Sequence, residues 1–234
     1  MTTTTTHPSE SAAMLDAAAL TPFAVDSTGE TPRARRRCQA LRGTIRTGPG
    51  SEDENVKPLP GSAVAARALD EANAALPPSL LAHSTRTFLL ARAFAERRSI
   101  TFDEEGLFVA AMLHDLGLVP SLRDGAAPFP QVGSRRLVTL FTEEGQPADR
   151  GADLARAIDL HMRWFPRWSA GPEAGLLQVG AWMDVVGRRR WQVPATVRAD
   201  IDASYPRGDL GRRFPASVIA SIGSWRACAG LLVP

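Results

Sequence analysis

The stretch LFVAAMLHDLGL, residues 107–118, closes an unbroken apolar run with a histidine and an aspartate side by side. Leu107 to Leu113 reads as a helix buried on nearly every side, because no polar residue marks a solvent face. His114 and Asp115 stand together at its end, and Gly117 is the expected helix stop. An ionised carboxylate buried without a partner either neutralises or finds a cation. The pair therefore requires a partner or an exposed position.

The whole chain sets the frame for that pair. A length of 234 residues, 44% hydrophobic and 22% charged, is enough for one domain with a substantial core. No apolar run approaches the roughly 20 residues of a membrane-spanning helix, and MTTTTTHPSE lacks the basic start and apolar centre of a secretory signal. Cys38 and Cys228 lie far apart and form no metal-ligand spacing. A soluble protein of the reducing cytoplasm, with no membrane partner, is expected. The net charge is only +2, and the clusters RARRR (33–37) and RRR (188–190) come with no broad positive face or reading element. They read as solvated arginines, and no nucleic-acid partner is expected.

Residues 1–60 are rich in Thr, Ser, Pro, Gly and charge, with two weak helical pieces at SAAMLDAAAL and RCQALR. This part reads as a largely disordered extension, too poor in apolar surface to offset the entropy of ordering. From Gly61 onward the pattern is helical. AVAARALDEANAAL precedes Pro77 and Pro78, a long helix covers about Ser79 to Arg98, and FDEE (102–105) gives the buried helix an acidic first turn. SLRDGAAPFP is a loop, VGSRRLVTLFTEEG a helix closed by Gly145, and ADRGADLARAIDLHMRWF another. PEAGLLQVGAWMDVVG, PATVRADIDASY and FPASVIASIGSWRACAGLL complete the set. With no alternating strand and no internal repeat, an all-α domain over residues 61–234 is expected.

Three of the four histidines fall on apolar stripes of these helices, and only His7 lies in the extension. His83 shares a row with Leu80, Thr87, Leu90 and Phe94; His161 continues Leu154 and Ile158 toward Phe165; Asp184 follows Leu177, Gly180 and Ala181. With His114 and Asp115 these make five ionisable groups aimed at one interior. Each has an ordinary explanation alone, as a core histidine bonded to a carbonyl or an aspartate paired with arginine. A divalent metal satisfies several together, since imidazoles and carboxylates bind zinc, iron and manganese. The stripes leave both alternatives open.

HSTRTF at 83–88, AAMLHDLGL at 110–118 and GAWMDVVG at 180–187 resemble the HD-domain superfamily of metal-dependent hydrolases. An early His, an adjacent His-Asp pair and a later Asp ligate a metal inside a helical bundle in that superfamily. The blocks occur in that order, 31 residues from His83 to His114. The resemblance spans roughly residues 62–212 and implies His83, His114, Asp115 and Asp184 as ligands of a divalent Zn, Fe or Mn ion. The HS.R opening, FDEE, HDLGL and the AI.LH upstream of the last Asp are similar to the cyanamide-hydratase-like branch. The fold it implies is an HD-domain helical bundle.

The activity implied is a metal-dependent hydrolase or hydratase, a metal-bound hydroxide adding to a small nitrogenous substrate of the cyanamide or nitrile kind. A bound metal lowers the pKa of water from 15.7 toward about 7. Asp115 and His161 are the candidates for moving protons, and Arg86 for orienting an Asp or the substrate. The alternative is an HD phosphohydrolase acting on a nucleotide or phosphate ester. Against it, HDLGLVP places Leu118 and no early cation where many phosphohydrolase relatives carry Lys. The further histidine pair of two-metal phosphodiesterase relatives is also missing, with only His161 in that interval. A third reading is a non-catalytic, metal-stabilised binding domain. Trp164, Phe165, Trp168 and Trp182 could wall a small pocket, but core packing is the simpler expectation. A small-molecule substrate is the expected partner, and a homo-oligomer is compatible with the sequence.

Overall fold

The computed structural model describes residues 58–124 and 127–220. The expected extension lies almost wholly outside the described residues, as do its two helical pieces, His7, both cysteines, RARRR and the expected helix beyond Ala220. Among the described residues the chain is all helical, with eight α-helices, four short 3-10 turns and no strand.

Local chemistry starts each helix. Helix α1 (Ala63–Ala75) opens on Ser62, whose hydroxyl accepts from the Ala65 N–H at 3.3 Å. Helix α2 (Pro78–Arg97) begins with Pro78 at its first position, where a missing N–H costs nothing. Helix α3 (Glu104–Leu113) is capped by Asp103, whose Oδ1 accepts from the Gly106 N–H at 2.9 Å, with Glu104 and Glu105 in the first turn as FDEE suggests. Helices α4 (Phe129–Glu143), α5 (Ala148–Leu160), α6 (Pro172–Val186), α7 (Ala195–Ser204) and α8 (Leu210–Ala220) follow.

The apolar run of the opening stretch is the axis of the fold. Every residue from Leu107 to Leu113 is fully buried, and α1, α2, α4, α5 and α6 all pack around α3. Each buried Leu, Phe or Met there contributes roughly 1.5–3 kcal/mol, which anchors the end of α3 in the centre of the bundle. Helices α2 and α6 run in close contact. Gly180 permits it: a Cβ there would lie 2.2 Å from the Thr87 carbonyl oxygen. That approach sets Asp184 against His83 and Arg86.

Three local expectations change. Gly117 is not the stop of α3, which ends at Leu113. The chain turns on through Leu116–Leu118, and Gly117 is needed because a Cβ would meet the Phe129 carbonyl oxygen at 2.2 Å. Helix α5 ends at Leu160 instead of continuing to Phe165. In consequence the aromatic residues beyond it are not core: Trp164 and Phe165 are 53% and 54% exposed. The Arg188 guanidinium lies over Trp164, Phe165 and Trp182 at 5.0, 5.4 and 5.5 Å. No helix among the described residues is long and apolar enough to cross a membrane.

Candidate metal centre

Four elements deliver the polar side chains to one interior point. His83 lies in the second turn of α2, and Asp184 in the last turns of α6. His114 and His161 are the residues that cap the C-terminal ends of α3 and α5. Asp115 follows His114 directly. All five are buried, none more than 1% exposed.

The two capping histidines use the helix ends in the same way. The last turn of a helix leaves carbonyls without intrahelical partners. His114 Nδ1 bonds the Ala111 carbonyl at 2.8 Å, and His161 Nδ1 bonds the Ile158 carbonyl at 2.6 Å. A carbonyl only accepts, so each Nδ1 carries the proton and each Nε2 keeps a lone pair. His83 Nδ1 lies 2.7 Å from Asp184 Oδ2. Asp184 is ionised, because burial opposes its charge but hydrogen bonds from His83 and Arg86 outweigh that and hold its carboxyl well below the usual range. A carboxylate only accepts, so His83 donates through Nδ1 as well and turns its Nε2 to the other side chains.

These Nε2 atoms face one another. His83 Nε2 is 3.3 Å from His114 Nε2, and Asp115 Oδ2 is 3.5 Å from the first and 3.3 Å from the second. His161 Nε2 stands 3.7 Å from Asp115 Oδ1. Among the described residues, neither Asp115 oxygen accepts a hydrogen bond. Burial and the neighbouring His83 push the His114 pKa down to about 3, and burial with the neighbouring His114 pushes His161 to about 4. Both imidazoles are neutral at physiological pH. Burial raises the Asp115 pKa, but one proton there would satisfy a single contact and leave the other acceptors opposed.

A divalent ion satisfies them together. Ligands about 2.1 Å from an ion lie about 3.0 Å apart at a right angle and about 3.4 Å apart at a tetrahedral angle. The separations among His83 Nε2, His114 Nε2 and Asp115 Oδ2 match that spacing, and these three residues form a group able to hold a metal. Two imidazoles and a carboxylate suit zinc, iron or manganese.

Asp184, a ligand by resemblance, is placed behind His83. Arg86 clamps it, Nε to Oδ1 at 2.7 Å and Nη2 to Oδ2 at 2.8 Å, and Arg207 Nη2 reaches Oδ1 at 3.2 Å. Arg86 Nη1 also donates to the Tyr205 and Pro206 carbonyls at 2.8 and 3.3 Å, tying the α7–α8 corner to the site. Sequence reasoning named Arg86 but missed these carbonyls and Arg207. The three histidines border a cavity of about 120 Å³, walled by Met162, Ala181, Trp182, Val185, Val186 and Phe214. Phe214 of α8 meets the His83 ring edge-on at 5.5 Å, a neighbour no periodicity signalled.

Residues 80–186 match the family model of the HD domain. The matched span contains every histidine and aspartate of the cluster and supports placing it in the HD superfamily, whose members are generally metal-dependent hydrolases. No curated protein matches the chain.

Proposed function

We propose that this protein is a hydratase of the HD superfamily that adds water across a carbon–nitrogen multiple bond of a small neutral molecule, in the manner of cyanamide hydration. The observation that carries the reading is the cavity beside the imidazoles. It is about 120 Å³, and no lysine or arginine among the described residues lines it. A phosphate ester would enter without a cation to meet its charge, an expensive burial. Arg86, the nearest buried cation, is spent on Asp184 and the Tyr205 and Pro206 carbonyls.

His83, His114 and Asp115 would hold the ion, which when bound acidifies water toward a pKa of about 7. The chain does the rest. Asp184 and Arg86 keep His83 in the tautomer that presents Nε2. His161, fixed by the Ile158 carbonyl, keeps a proton-accepting nitrogen 3.7 Å from Asp115 Oδ1. A water proton held between those two atoms passes to His161 Nε2 as the water oxygen bonds to the substrate carbon. His161 then returns it to the substrate nitrogen, where the broken π-bond has left an electron pair. Tautomerisation of the resulting imidic acid yields the amide, or urea from cyanamide.

The test is purified, metal-loaded protein offered cyanamide, a simple nitrile and a panel of nucleotides. Urea or amide formation is expected. Phosphate release with no urea or amide would replace this reading with the phosphohydrolase one.

A further inference from the structure

The walls of the cavity are almost wholly hydrocarbon, and this bears on what fills it. Trp182 offers only its ring, because its Nε1–H donates to the His161 carbonyl at 3.1 Å. Met162, Ala181, Val185, Val186 and Phe214 carry no side-chain hydrogen-bonding group beyond a weak thioether. Among the described residues, the strong side-chain polar atoms at the border are the imidazole Nε2 atoms, already assigned to the ion and to proton transfer. Cyanamide would bring two amino N–H donors into this space with nothing left to accept them. Leaving such a group unpaired weakens binding by roughly five- to more than a hundredfold. A hydrocarbon group gains about fourfold for each methylene it buries. A dry cavity of about 150 Å³ holds benzene, so a space of about 120 Å³, part of it taken by the reacting group, suits a hydrocarbon group of no more than about six carbons.

We infer that the substrate of this site carries a compact hydrocarbon group on its reacting carbon, seated between Ala181 and Val185 of α6 and Phe214 of α8. The substrate class is thus a short alkyl or aryl nitrile, with cyanamide a poor substitute. The inference rests on the proposed function for the identity of the reacting bond; the seat for the hydrocarbon group rests on the cavity alone.

Metal-loaded protein is titrated with cyanamide, acetonitrile, propionitrile, butyronitrile, benzonitrile and a long-chain nitrile, and affinity is read by calorimetry beside product formation. Affinity should rise about fourfold per methylene to butyronitrile or benzonitrile and then fall, with cyanamide weakest. Ala181→Leu, which fills the cavity, should cut butyronitrile affinity at least tenfold, more than it cuts cyanamide affinity, while metal content stays unchanged. Should that variant fail to fold, Phe214→Ala supplies the converse, moving the optimum to longer chains. A flat series, or cyanamide binding tightest, overturns the inference. The two readings fail separately: turnover of cyanamide with a flat nitrile series removes the hydrocarbon seat and leaves the hydratase. A rising affinity series with no water added to any nitrile removes the hydratase and leaves the seat.

Discussion

His83 and Asp184 meet through one hydrogen bond, Nδ1–H to Oδ2 at 2.7 Å, and that bond decides where the other nitrogen of His83 points. With Nδ1 committed to a carboxylate, Nε2 is the nitrogen turned toward His114 and Asp115. The carboxylate is held in turn by Arg86 and Arg207, so the orientation is transmitted from the surface corner before α8 to the centre of the bundle.

A buttressing carboxylate and a ligating one respond differently to neutralisation. Asp184→Asn should still bind one equivalent of metal, with affinity reduced about 10–100-fold, the usual cost of removing an outer partner of a ligating histidine. Asp115→Asn and His114→Ala should lose the metal. Metal titration followed by elemental analysis of the three variants checks this. Equal loss of metal in Asp184→Asn would place that carboxylate in contact with the ion.

Arg86 and Asp184 form a fully buried ion pair, both side chains having no exposure. Removing one partner leaves the other charge stranded, at a cost of about 3–5 kcal/mol. Arg86→Met should show a loss of that size in urea denaturation. Arg86→Lys should recover little, because one ammonium cannot match two carboxylate oxygens and two backbone carbonyls at once. A change below about 1 kcal/mol, the scale of a surface pair, would mean the clamp is not structural.

How much of this was legible in the sequence follows from the range of each interaction. The unbroken run Leu107–Leu113 could only be a buried helix, so the depth of His114 and Asp115 was readable from neighbouring residues alone. His83 and Asp184 showed on their stripes for the same reason. His161 also lay on a stripe, but α5 ends one residue before it, and its role as a cap was hidden by the assumption that the stripe ran on to Phe165. The same error put Trp164 and Phe165 in the core. The Tyr205 and Pro206 carbonyls offered no signal, since any residue supplies a carbonyl. The wall formed by Phe214 depends on α8 folding back over α2, a long-range contact no local pattern encodes.

The two depressed histidines make the metal-free protein sensitive to acid. Free histidine titrates at 6.5, against about 3 for His114 and about 4 for His161 in the fold. Between those values the unfolded chain binds protons that the folded one refuses, so their contribution is complete above pH 6.5 and is lost as pH falls toward 4. Asp115, with a raised pKa, works in the opposite sense, but it is one group against two. Lowered carboxyls such as Asp184 add to the loss only below about pH 4. Chelator-treated protein should therefore lose stability from pH 6.5 to 4, each histidine adding a slope of up to about 1.4 kcal/mol per pH unit. His161→Leu should lower that slope by about one proton, and an unchanged slope would show that His161 is not buried neutral.

His161 faces the carboxylate of the three residues that could hold a metal without belonging to that group, and this separates it from His83 and His114 in experiment. Its Nε2 lies 3.7 Å from Asp115 Oδ1, while its Nδ1 is spent on the Ile158 carbonyl. Only Nε2 is free to exchange a proton. His161→Ala should retain one equivalent of metal and lose about 10²–10⁴-fold in kcat, the range for removing a general acid–base group. His161→Gln keeps a polar side chain of similar length that has no titratable nitrogen, and it should be no more active than the alanine variant. If His161→Gln instead restores turnover, the residue acts by hydrogen bonding alone. If His161→Ala releases the metal, it belongs with His83 and His114 as a ligand.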